Sequence, residues 1–257
     1  MPRHLFALAA LLVGGVVGVA STQTPPARPS GIRALDAIQS LSIPDSPELA
    51  AAINDLLSDT SSHMRMAPHK QATADDSARA ASVVTAGRAA LSKYKDVHAA
   101  EADGYVKFLP QLEEQPIFHY NNIQNAFASF MGFDATKPVS LLYRKNKKGE
   151  MELAGAMYNA PPNATPEDLD ARLPLGIAHW HEHVNFCGPT RESIRDGTAK
   201  TDPATAAMWL RITSRDECLA AGGRFVPRMF GWMTHVYLWA GDDPASIWGG
   251  EGKAHMH

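Results

Sequence analysis

The chain has 257 residues, 45% of them hydrophobic and 20% charged, with a formal net charge of -3. That is enough apolar material for one core, and the slightly acidic balance excludes the basic footprint that nucleic acid or an anionic lipid surface requires. Residues 1–20 read as a signal peptide, with Arg3 and His4 before an uncharged apolar run and small residues up to Ala20; no second run of spanning length follows. The expectation is a periplasmic or secreted protein without a stable membrane span.

Residues 21–76 are rich in Pro, Ser, Thr and Ala and lack an apolar period. They read as a mobile arm with a possible short helix near 47–57. A single domain is expected over 77–250, followed by a His/Met tail at 251–257. Its first helix is capped near Asp75, Asp76 and Ser77 and runs to about Ala102, where Asp103-Gly104 stops it. Residues 110–120 form an extended connection, and Asn121 or Asn122 caps a second helix that Gly132 ends. Two strand-like runs, 139–144 and 151–159, flank a polar loop with the Asn and Gly of a hairpin. Thr165-Pro166 opens a short helix to about Arg172. Further helices are expected at 203–211 and from Ser214 to Ala221, and a last strand at 231–240. The fold class is therefore α+β, with N-terminal helices packed on an antiparallel sheet of at least four strands and no βαβ alternation.

Cys187 and Cys218 are the only cysteines, and in an oxidising compartment a disulfide between them is the default; a thiolate ligand at Cys187 is the competing reading. His179-Trp180-His181-Glu182-His183 concentrates the commonest side-chain metal ligands. Read as a strand, His179, His181 and His183 share one face and Glu182 points to the other, where it needs a partner. Read as a helix, His179-x-x-Glu182-His183 matches the inverted zinc-peptidase pattern, with Glu182 as base. Pro174, Gly176 and Pro189 bracket the segment closely, and its apolar residues suit a sheet, which favours the strand. His119 and His235 are the candidates to complete a site. His235 lies in the apolar run 231–238, where an imidazole must be neutral, hydrogen-bonded or ligated.

Leu141-Leu142-Tyr143, Gly155-Ala156-Met157-Tyr158, Trp180-His181-x-His183-Val184-Asn185-x-Cys187 and Gly231-Trp232-Met233-x-His235-Val236-Tyr237, with His63-Met64-Arg65-Met66, resemble a set of exported bacterial proteins without an established activity. The resemblance spans about residues 63–248. It implies that His119, His181, His183 and His235 are the defining histidines, whereas His179 and Glu182 are not fixed.

A metal site of His119, His181, His183 and His235 is the leading expectation. Copper is weighed first, because Met64, Met66, His63, His69 and the terminal His255-Met256-His257 combine thioether with imidazole; zinc follows, and non-haem iron if a carboxylate such as Glu152 joins. His-x-His on a strand followed by a distant His also suggests a cupin-like pocket by analogy. Tyr120, Tyr158 and Tyr237 are core aromatics or the lining of a redox pocket. A metal-free module binding a small molecule is the reading from a different class. No phosphate loop, nucleophile elbow or haem-attachment motif is present.

Overall fold

The computed structural model describes Ala52 and residues 61–110, 112–196 and 203–249. The expected signal peptide, most of the arm and the tail at 251–257 lie outside the described residues.

Seven strands form one antiparallel sheet: β1 (Met64–Met66), β2 (Tyr105–Lys107), β3 (Phe118–Asn122), β4 (Ser140–Lys145), β5 (Met151–Ala160), β6 (His181–Gly188) and β7 (Arg224–Val236). Their order is β1-β6-β7-β5-β4-β3-β2, which leaves β1 and β2 at the two ends. The helices are α1 (Ala74–Leu91), α2 (Val97–Ala102), α3 (Ile123–Met131), α4 (Pro166–Arg172), α5 (Arg191–Arg195), α6 (Pro203–Arg211), α7 (Arg215–Ala220) and α8 (Pro244–Ile247). The α+β reading thus holds, with more strands than the sequence revealed.

Local chemistry explains the boundaries. The cap of α1 is Thr73, whose hydroxyl accepts from Asp76 N while the Asp76 carboxylate accepts from Thr73 N, so Asp76 serves as the third helical residue and not as the cap. The buried stripe Asp76, Ala80, Val84, Gly87 and Leu91 has helical spacing and faces the core. The single helix expected up to Ala102 is broken by a 3-10 turn at Ser92–Lys95, and Asp96 caps α2 by accepting from His98 N. In that turn Tyr94 is buried, and its carbonyl accepts from the Tyr143 hydroxyl at 2.6 Å. Asn122 caps α3, Thr165 caps α4 in a capping box, and Ser214 caps α7, each where the sequence places it.

Three corrections concern strands. Residues 61–73 belong to the folded domain and not to an arm, because Met64–Met66 pair with β6 and His63 is buried. Their alternation covers only three residues, too few to stand out from a polar stretch. The connection expected over 110–120 ends in β3, so His119 sits in a strand. The last strand starts earlier and stops sooner than 231–240, running from Arg224 to Val236 around a bulge at Phe230, where φ is +65°.

One sheet face carries the main core: Ala80, Val84 and Leu91 of α1 pack with Phe118, Tyr120, Leu141, Tyr143, Tyr158, Trp180 and Trp232. The other face has a smaller apolar cluster of Val139, Leu142, Ala154, Met157, Met233 and Tyr237, against which Ile117, Ala126 and Phe230 pack. Cys187 of β6 and Cys218 of α7 form a disulfide. No helix among the described residues is long and apolar enough to cross a membrane.

The sheet is strongly coiled. His119 on β3 and His235 on β7 are three inter-strand steps apart, about 14 Å on a flat sheet, yet their Nε2 atoms are 3.3 Å from each other. Gly155 allows a close backbone approach within this coil: a Cβ there would stand 2.1 Å from Val236 O and 2.9 Å from Tyr237 Cα, backbone atoms at the end of β7 and just beyond it. Gly155→Ala is therefore expected to destabilise the protein by about 3 kcal/mol, the upper range of an overpacked core, measured by urea unfolding. An unchanged midpoint would show that the ladder yields without cost.

Candidate functional site

β6 decides between the two readings of the histidine cluster. His181–Gly188 is a strand, so the helix that the zinc-peptidase pattern needs is not formed, and His179 lies outside the strand with its ring 6.1 Å from that of His69. Glu182 is fully buried on the main-core side, ion-paired to Arg65 of β1 and to Arg228 Nε of β7 at 2.9 Å. Register explains this pairing. Arg65 stands directly across from Glu182, and its guanidinium lies over the Trp232 ring at 5.4 Å. A carboxylate held by two guanidiniums on the far face cannot act as a base for ligands on the near one.

The near face collects imidazoles from three strands. His181 pairs with Met233, His235 with Met157, and His119 with Leu142, so all three histidines share the face of the smaller apolar cluster. Ring centroids are 5.4 Å apart for His119 and His235, 5.3 Å for His181 and His235, and 5.6 Å for His181 and His183. The four histidines expected at a site therefore form one continuous cluster. Tyr237 flanks it, its ring 6.4 Å from that of His235. Tyr120 and Tyr158 belong to the main core, as aromatic packing requires, and Tyr158 donates to Ala135 O. Glu152 does not join. It lies five residues along β5 from Met157, about 17 Å at strand rise, and pairs with Arg144; the carboxylate-containing iron arrangement loses its ligand.

Burial sets the protonation state. Desolvation, aided by the neighbouring imidazoles, lowers His119 to about 4 and His183 to about 3, and pushes His235 well below the usual histidine range. These three rings are thus neutral at pH 7, the state in which imidazole offers a lone pair. His181 Nδ1 lies 3.2 Å from His179 O, an atom that can only accept, so Nδ1 carries the proton and Nε2 the lone pair. His183 Nδ1 is buried without a hydrogen-bond partner.

Sequence reasoning missed one member. His63, assigned to a mobile arm, is only 4% exposed, and its Nδ1 lies 3.2 Å from Val184 O. Its ring packs 5.3 Å from that of Phe186, which is 6.1 Å from that of His183. Residues three apart on a regular strand point to opposite faces. Asn185, between them, has φ +62°, and the Phe186 ring lies 6.1 Å from that of His183 all the same. The available signal was the place of His63-Met64-Arg65-Met66 in the pattern that carries the resemblance.

Among the described residues no three His, Cys, Asp or Glu side chains already stand in a metal-coordinating arrangement. The 3.3 Å between His119 Nε2 and His235 Nε2 nevertheless equals the roughly 3.3 Å separating two nitrogens that are each about 2.0–2.1 Å from a tetrahedral ion. Two surface clefts, of about 290 and 230 Å³, lie beside Tyr158 and Trp248 and include none of the cluster's histidines.

Two outcomes follow. Glu182→Gln is expected to lower stability by about 3 kcal/mol, because two guanidiniums lose their buried partner, while leaving metal binding unchanged as long as the histidine strand keeps its register; isothermal titration beside urea unfolding checks both, and lost binding by a variant whose near-ultraviolet spectrum stays native would put Glu182 at the site. The second concerns pH. The unfolded chain protonates its histidines near 6.5 and the folded one only near 4 and 3 at His119 and His183, so the unfolded state takes up protons first as pH falls. Stability of the metal-free protein is full above about 6.5 and declines from there toward pH 4. A lower urea midpoint at pH 5 than at pH 7.5 is expected; a flat profile would contradict buried neutral imidazoles.

Compared with family models, curated proteins and solved structures, the chain finds no match, and the reading of the site rests on its geometry.

Proposed function

We propose that the protein is an exported metal-binding protein that holds one transition-metal ion with His119, His181, His183 and His235, copper before zinc or iron, for redox chemistry or for sequestration. The observation that carries this reading is the convergence of four imidazoles from three strands on one buried face, with two Nε2 atoms at 3.3 Å. Neutral, mutually close imidazoles are the donor set that borderline divalent ions and copper take. The disulfide is compatible with an oxidising compartment.

Copper is favoured by the methionines. Met233 stands across from His181 and Met157 across from His235, both buried and on the histidine face. Thioether beside imidazole suits copper, above all Cu(I), better than zinc or iron. Loading requires small rotations of the imidazoles, since no trio is preset. Once bound, the ion supplies either a redox centre or a storage position, while the chain's part is to keep the imidazoles neutral and shielded.

The contact between His119 and His235 also supports a second reading, a metal-free module in which the two rings hydrogen-bond to each other and the cluster is structural. Metal content separates the two. Reconstitution of the full chain with copper, zinc or iron, followed by elemental mass spectrometry, is expected to give one tightly bound ion at neutral pH that is released in acid as the imidazoles protonate. His181→Ala should weaken binding about 100-fold or more, beyond the loss typical of an outer-shell residue, and His179→Ala should leave it unchanged. No stoichiometric metal in the wild type under any of the three conditions would overturn the proposal in favour of the structural cluster.

A further inference from the structure

A fifth histidine lies against this cluster, and its chemistry is set by the backbone around it. His63 is fixed by a turn in which its own amide donates to Ser61 Oγ and the Met64 amide donates to Ser61 O. Its carbonyl accepts from Val184 N, and its Nδ1 donates to Val184 O. In the neutral ring the tautomer is therefore defined, with the lone pair on Nε2. That Nε2 is buried and has no hydrogen-bond partner, as has His183 Nδ1. Two buried imidazole nitrogens left bare, on rings that both pack against Phe186, are costly unless a ligand meets them.

The surroundings narrow the chemistry. Phe186 packs against both rings, at 5.3 Å from His63 and 6.1 Å from His183. Met64 of β1 and Met229 of β7 stand directly across from His183 on either side. The nearest carboxylate on β6, Glu182, faces the other way and is ion-paired to two arginines. The available donors are thus two imidazole nitrogens and thioethers, and Glu182 brings no anionic oxygen to them. This set is too soft and too few for magnesium or calcium, and its two nitrogens fall short of the four nitrogen, thiolate or oxygen donors that zinc takes.

We infer that His63 Nε2 and His183 Nδ1, with the thioether of Met64, form a second, low-coordinate metal position at the β1 end of the sheet, suited to a soft monovalent ion such as Cu(I). The inference rests on the metal reading of the central cluster, with which it shares His183. A neutral imidazole has one lone pair, so His183 serves one position at a time. An ion held by His63 and His183 stands one residue pair from His181, beside the edge strand β1, and this outer position is where a soft ion is captured before the central cluster takes it.

The test disables the centre and asks what remains. The full chain carrying His119→Ala and His235→Ala is titrated with Ag(I), a redox-silent stand-in for Cu(I), and separately with Zn(II). One equivalent of Ag(I) and no stoichiometric Zn(II) are expected, and adding His63→Phe, which keeps a ring against Phe186, should weaken Ag(I) binding at least tenfold. Equal Ag(I) binding with and without His63→Phe overturns the outer position. So does loss of Ag(I) from the double variant while the wild type still binds metal, and in that case the central site stands. A wild type that binds no metal overturns the central site itself. Should the double variant fold poorly, His63→Phe in the otherwise wild-type chain decides the matter: uptake of one equivalent of Ag(I) is expected to slow at least tenfold, and an unchanged rate overturns the inference.

Discussion

Glu182 has no exposed surface, and a carboxylate so placed is tolerable only where cations meet it. Arg65 and Arg228 supply them from the strands on either side of β6. This three-strand contact fixes the orientation of the whole histidine strand, because a period of two leaves no choice: with Glu182 on the arginine face, His181 and His183 must lie on the other. A slip of one residue would bury two imidazoles among Trp180, Trp232 and the helices, and would turn the carboxylate toward Met157 and Met233. The ion pairs therefore act as a register lock, which is the best-attested use of buried charge. The same contact ties in β1, whose three residues would otherwise make a weak edge.

Given that register, the coil of the sheet does the rest. Neither β3 nor β7 alone offers more than one histidine to the near face, and only strong coiling across β4 and β5 lets His119 reach His235. Gly155 permits the close backbone approach on β5, and the bulge at Phe230 lets β7 bend beside β6. The histidine face is thus an outcome of long-range geometry and not of any local motif.

This division explains what could be read from the sequence. Helix caps such as Asn122, Thr165 and Ser214 act through hydrogen bonds within three residues, so their chemistry is visible in the sequence. The hairpin of β4 and β5 is also local, as is the pairing of the only two cysteines. Period-two alternation was enough to place Glu182 opposite the histidines, and its need for a partner followed from burial. What stayed hidden depends on tertiary contact. β1 and β2 are three residues each and gain strand geometry only from their neighbours. His63 looked like part of a polar arm because nothing local reveals that Val184 and Phe186 enclose it. Glu152 looked available because distance along a strand cannot be judged before the register is known.

The cluster also bears on why these residues are retained. Leucine or methionine in place of the imidazoles would pack against Leu142, Met157 and Met233 without the desolvation that lowers His119 and His183 so far below the ordinary histidine value. Apolar packing thus gives no reason for histidine at four neighbouring positions; the contact between His119 and His235 accounts for two of them, and not for the bare nitrogens at His63 and His183. A bound cation removes the difficulty, since it turns each buried lone pair from a cost into a ligand bond and needs the ring neutral, as burial already makes it. The methionines across from His181, His183 and His235 then cease to be mere filling, because they place soft donors beside the nitrogens on both neighbouring strands. Stability alone favours an apolar face here, and this one is polar where its strands converge; that difference is the physical argument for a ligand.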